Sequence, residues 1–145
     1  MKKILSSLFL LTIMLIAGCS NDDELSGRTF DLAYPPGPVS EGDGMEDHNV
    51  FMTLSFDDGK VVREDGNEVE GQYDLDAETL SILFEHDEET LNVEFDEFNG
   101  SDRTFSAYNA IVSNATLDKS EGELSYLMTL GNEFSMQFPV EFIEK

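Results

Sequence analysis

Thr79-Leu80-Ser81-Ile82-Leu83-Phe84-Glu85-His86-Asp87-Glu88-Glu89-Thr90-Leu91-Asn92-Val93-Glu94-Phe95-Asp96 is the stretch that decides the fold class. Leu80, Ile82 and Phe84 recur at every second position. After His86-Asp87-Glu88-Glu89, Leu91, Val93 and Phe95 do the same, alternating with Asn92, Glu94 and Asp96. A period of two sends successive side chains to opposite faces of a strand, so these are two half-buried strands joined by a polar turn.

The same rhythm continues outward. Upstream, Val69, Gly71, Tyr73 and Leu75 follow the turn Asp65-Gly66-Asn67, and Val61-Val62-Arg63-Glu64 is the return strand after Asp57-Asp58-Gly59-Lys60. Before that come Val50, Met52, Leu54 and Phe56, and earlier still Phe30, Leu32 and Tyr34. Downstream, Asn99-Gly100-Ser101-Asp102 closes a hairpin. Phe105 to Leu117 is a longer β-compatible segment with a bend expected near Asn109 or Asn114. Leu124, Tyr126, Met128 and Leu130 read as a further strand, Gly131-Asn132 as a two-residue hairpin turn, and Phe134, Met136 and Phe138 as its return. Pro139 follows, where an edge strand tolerates it. No window shows a 3.6-residue apolar stripe, and no segment reads as a C-terminal helix. Eight or nine short sequential strands leave two open edges unless the sheet closes. The expected fold is therefore all-β, an antiparallel up-and-down barrel of about eight strands, with a β-sandwich as the competing arrangement.

The N-terminus has a different character. Lys2 and Lys3 precede an apolar run from Ile4 to Ile16, and Ala17 and Gly18 supply small residues before the single cysteine, Cys19. This is the layout of a secretory signal, too short for a stable spanning helix. Ile16-Ala17-Gly18-Cys19 resembles the lipobox of bacterial lipoproteins. The resemblance implies removal of residues 1–18, diacylation of the Cys19 thiol and attachment to the extracytoplasmic face of the cell membrane, a Gram-positive host being favoured. Lipidation would also account for an otherwise odd thiol and leave no disulfide, so the fold must hold by its core. Of 145 residues, those from 19 onward suffice for one domain: a tether over residues 19–26 and a barrel over 27–145.

Thirty-one Asp and Glu against eight Lys and Arg give a formal charge of −23. Such a surface repels phosphate backbones and argues against nucleic-acid partners. It repels anionic headgroups too, so the acyl chains must hold the membrane. The tether spans at most roughly 25 Å, and Asp22, Asp23 and Glu24 are expected to keep it solvated rather than packed. Partners are then membrane-proximal.

A secreted up-and-down barrel of this length also resembles the calycins, the lipocalins and their relatives, over residues 27 to 138. Gly27-x-x-Phe30 at the entry to the first strand is similar to the Gly-x-Trp opening of that group, with the aromatic one place later and no Trp in the chain. Gly71-x-Tyr73 is a pattern common in such sheets. The resemblance implies carriage of a small, often apolar molecule.

Residues for chemistry are few. His48 and His86 sit in acidic turns without a second histidine or a cysteine at ligand spacing, which argues against zinc. Asp57-Asp58-Gly59 and Asp65-Gly66-Asn67 lack the alternating oxygens of a calcium loop, and turn geometry accounts for them. No Gly-x-Ser-x-Gly, no Ser-x-x-Lys and no phosphate-cradling loop occurs. Glu85, Glu94 and Glu97 are candidate acid–base groups only by abundance. No enzyme, metal or cofactor is expected. Pro35 to Asn49, stiffened by Pro35-Pro36-Gly37-Pro38 and loosened by Gly42-Asp43-Gly44, is the one long irregular connection, either a lid or partner contact across a barrel mouth or a passive link.

Two functional expectations follow. In the first, Phe30, Tyr34, Phe56, Tyr73, Phe84, Phe95, Phe105, Tyr126, Met128 and Met136 line a pocket for a small hydrophobic ligand. In the second, the same side chains fill the barrel, and the acidic surface or the 35–49 connection meets a protein partner.

Overall fold

The computed structural model describes residues 23–35, 49–66, 68–102, 106–119, 125–134 and 136–145. Cys19, the leader, His48, Phe105 and the 36–48 segment lie outside them. Eight strands follow in chain order: β1 (Arg28–Tyr34), β2 (Asn49–Asp57), β3 (Lys60–Arg63), β4 (Val69–Asp76), β5 (Thr79–His86), β6 (Glu89–Gly100), β7 (Tyr108–Asp118) and, after the short helix α1 (Tyr126–Gly131), β8 (Pro139–Glu144). Each strand pairs with its sequence neighbour and β8 returns to β1, giving a closed, all-antiparallel barrel. Leu32 faces Phe142 and Phe30 faces Glu144 across that closing seam.

The alternation read from Thr79 to Asp96 becomes geometry directly. Leu80, Ile82 and Phe84 point inward and are fully buried, with Leu91, Val93 and Phe95 beside them. Their register pairs Ile82 with Val93 and Phe84 with Leu91. Between β2 and β3, Asp58 and Gly59 both take positive φ (46° and 77°), the conformation a two-residue hairpin matched to strand twist requires. The expected bend in β7 is present: Asn114 faces Glu94 while Val112 faces Phe95, so Ser113 is an extra residue.

The interior is occupied by rings meeting edge to face. Phe142 lies 5.2 Å from Phe98, 5.5 Å from Phe95 and 6.1 Å from Phe30, and Phe30 lies 5.8 Å from Phe56. Edge-to-face contact suits the ring quadrupoles and adds to the stabilisation from burial.

Gly71 marks a close approach of backbones. A Cβ there would stand 2.5 Å from the Leu83 carbonyl oxygen and 3.1 Å from Phe84 Cα, so neither neighbour yields by rotating a side chain. Gly71→Ala is expected to cost about 1–3 kcal/mol through displaced backbone; a urea denaturation midpoint within error of the parent's contradicts this account.

Three sequence expectations are corrected. The segment around Tyr126 is helical, not a strand, and Phe134, Met136 and Phe138 lie ahead of the last strand, which instead begins at Pro139. Leu124-x-Tyr126-x-Met128-x-Leu130 alternates by type, but the side chains that need burial are Leu127 and Leu130, three apart on a helix, while Met128 is exposed. The tether is not solvated throughout either. Leu25 is fully buried against one end of the barrel. Tyr73 donates its hydroxyl hydrogen to the Asp23 carboxylate, Gly27 N–H reaches the Phe56 carbonyl at 2.8 Å, and Asp58 N–H bonds Ser26 Oγ at 2.9 Å. One apolar residue with a socket outweighs the solvation of its acidic neighbours.

The barrel therefore has two distinct ends. The β2–β3 and β4–β5 turns and the Asp23–Gly27 segment form one. The other carries α1, the β3–β4 and β5–β6 turns, and the two strand ends, Tyr34 and Asn49, from which the 35–49 connection springs.

Candidate functional site

The residues expected to line a pocket divide into three groups. Phe30, Phe56, Phe84 and Phe95 are buried in the barrel interior, and Tyr73 packs edge-on against Phe56 at 4.9 Å. Tyr34 and Tyr126 are half-buried at the helix-bearing end: Tyr34 stacks on Phe51 at 4.4 Å and donates to the Glu133 carbonyl, while Tyr126 stacks on His86 at 4.1 Å. Met128 and Met136 point outward, 45% and 47% exposed. Phe105 lies outside the described residues. The nine described positions thus do not converge on one surface.

A concavity does form at the helix-bearing end, and it is built from α1 upward. Six residues are too few for a free-standing helix, so its terminus is fixed from outside. Ser125 Oγ accepts the Met128 N–H at 2.9 Å. Glu89, the first residue of β6, accepts both the Leu127 N–H and the Ser125 hydroxyl at 3.1 Å. Leu127 and Leu130 then turn into the barrel mouth. Tyr126, Thr129, Leu130 and Glu133, spaced i, i+3, i+4 and i+7, share a face across from Arg63, Gly66 and Val69. Between these walls lies a cleft of about 470 Å³, within the usual size range of small-molecule sites.

Arg63 crosses this cleft. Its guanidinium, largely buried, donates to Asp65 at 3.3 Å and to Glu133 Oε1 at 3.2 Å. Burial pushes the Asp65 carboxyl up, but the Thr53 N–H at 2.8 Å and Arg63 outweigh it and hold it below the usual range. Glu133 goes the other way: burial raises it against the pull of Arg63. Its Oε2 is sheltered from solvent and has no hydrogen-bond partner among the described residues. Two carboxylates thus surround one guanidinium.

At the opposite end, the β1–β8 seam is fastened by Arg28. It donates to Glu144 at 2.7 and 2.8 Å and to Tyr108 Oη at 2.6 Å, and lies over the Phe30 and Tyr108 rings. The Glu144 hydrogen bond pushes Arg28 further up, and Arg28 in return holds Glu144 low. Glu89 is also held low, chiefly by the Leu127 N–H.

These directions predict the pH dependence of stability. Glu89, Glu144 and Asp65 are depressed in the folded state, so they stabilise it above the unfolded carboxylate range near 4. That contribution is lost as pH falls through their folded values. Glu133 is raised, so its ionisation costs stability and its protonation returns it. Partial neutralisation of a −23 surface acts in the same direction. Urea midpoints are expected to rise from pH 7 towards about 5 and to fall below about 4. A monotonic decline from pH 7 downward would refute this balance, and Glu133→Gln should flatten the rising limb.

Among the described residues no three His, Cys, Asp or Glu side chains converge to hold a metal ion. Strand-like alternation over the α1 wall hides the cleft in the sequence; Ser125 followed by Tyr126, Thr129, Leu130 and Glu133 is the helical signal that marks it. Comparison of the chain with family models, curated proteins and solved structures finds no match.

Proposed function

We propose that this protein is a lipid-anchored, extracytoplasmic recognition protein whose filled, lipocalin-like barrel is a scaffold and whose binding surface lies at the helix-bearing end. The observation that supports the reading is the ring packing around Phe142: the large side chains that a carrier would turn towards a ligand are in contact with one another. Recognition then falls to surface groups, and the cleft beside α1 and the exposed Met128, Met136 and Phe138 are all at one end. The anchor is Cys19 in this reading. The segment clamped at Asp23–Gly27 leads towards it from the other end, so the recognition surface faces away from the bilayer.

Two measurements test this. Cys19→Ala should move the protein from the membrane to the soluble fraction; continued partition with membranes defeats the anchoring. Native mass spectrometry of the protein released from a non-ionic detergent should show the barrel free of an apolar adduct. A stoichiometric adduct lost on denaturation would instead make it a carrier of small hydrophobic molecules.

A further inference from the structure

Resting on the reading that recognition is a surface event at the helix-bearing end, we infer that the cleft between α1 and the β3–β4 turn binds an alkylammonium group, from a small amine or a lysine side chain. Three observations select this chemistry. The first is charge: Arg63 stands between Asp65 and Glu133, so the cleft carries one more carboxylate than cation. The second is an unmet acceptor. Among the described residues Glu133 Oε2 has no donor, and the terminal torsion of a glutamate is broad, so rotation of the carboxylate can turn that oxygen to the cleft. An ammonium offers three N–H donors with a positive charge, replacing the solvation that burial has removed. The third is the lining. Val69 and Leu130 are buried beneath the cleft and Tyr126 flanks it, so an apolar arm carrying the amine has a surface to lie on. The formal charge of −23 attracts cations over the whole surface and raises the encounter rate. An anionic ligand meets the opposite field, and a neutral one leaves Oε2 without a charged partner.

The test is a titration of the ¹⁵N-labelled full chain in non-ionic detergent micelles, with n-butylammonium chloride as probe and n-butanol as its neutral match. Saturable amide shifts are expected at Gly66, Val69, Thr129 and Leu130 in the range of about 1 mM, with none from butanol. N-acetyl-lysine-N′-methylamide tells the sources apart: comparable affinity points to a lysine side chain, and much weaker affinity to a free amine. Glu133→Gln should weaken the probe at least roughly tenfold. Because that variant also alters the Arg63 contact, Thr129→Lys is a second check: on an exposed position, it lays its own ammonium over the cleft and should abolish binding. Non-saturating drift equal to that at the Asp57–Asp58 turn, or undiminished binding in both variants, overturns the inference. Probe-induced shifts centred on Ile82 and Val93 would instead overturn the surface-recognition reading.

Discussion

Phe142→Ala is expected to lower the unfolding free energy by about 3–5 kcal/mol, the usual cost of truncating a fully buried phenylalanine. Phe142 is wholly buried, and its ring touches those of Phe30, Phe95 and Phe98. Two strands, β1 and β6, therefore lose a shared partner on β8 when it is cut back, and rings confined by a closed sheet collapse poorly into the space. A domain of this size is stable by about 5–15 kcal/mol in total, so the loss is a large fraction of what holds it. Urea denaturation followed by circular dichroism measures it. Phe138→Ala is the control, because that ring is 57% exposed and its removal should cost well under about 1 kcal/mol. Equal costs for the two would mean that the Phe142 cluster does not carry the core.

Leu25→Ala is the second large effect, at about 2–3 kcal/mol. Leu25 lies outside the strands, yet it is as inaccessible as any residue within them. Arg28 N–H bonds its carbonyl at 3.1 Å, so its position is tied to the start of β1. Loss of the side chain should free the Asp23–Gly27 segment as well as reduce stability. Amide hydrogen exchange at Gly27, whose N–H is held by the Phe56 carbonyl, should then accelerate. An unchanged midpoint with unchanged exchange would mean that the segment merely rests on the barrel.

Periodicity was informative where one face of a strand is wet and the other dry. Between Thr79 and Asp96 the inward apolar residues Leu80, Ile82, Phe84, Leu91, Val93 and Phe95 are legible, because alternation by type follows burial there, whereas the buried Glu89 at the turn is not. They part company after β7. Tyr126, Met128 and Leu130 alternate by type, but Ser125 and Glu89 cap a helical turn that sends Leu127 and Leu130 inward. Glu89 is 36 residues from Ser125, and no local pattern announces a cap supplied from another strand. Leu25 is illegible for a similar reason: one leucine among acidic residues carries no period, and its socket is made by the closed barrel. The cleft inherits both problems, since its two walls are bridged by Arg63 reaching Glu133, 70 positions away.

The seam between β1 and β8 also sets an order in time. Arg28 and Glu144 are 116 positions apart, so the barrel stays open until β8 has reached β1. For that period the free sides of β1 and β7 are unpaired strand edges, ready templates for another chain. A holding chaperone acts most usefully in that window. Loss of the final seven residues removes β8 altogether and makes the exposed edges permanent. The chain's last few residues thus decide whether all that came before them stays soluble.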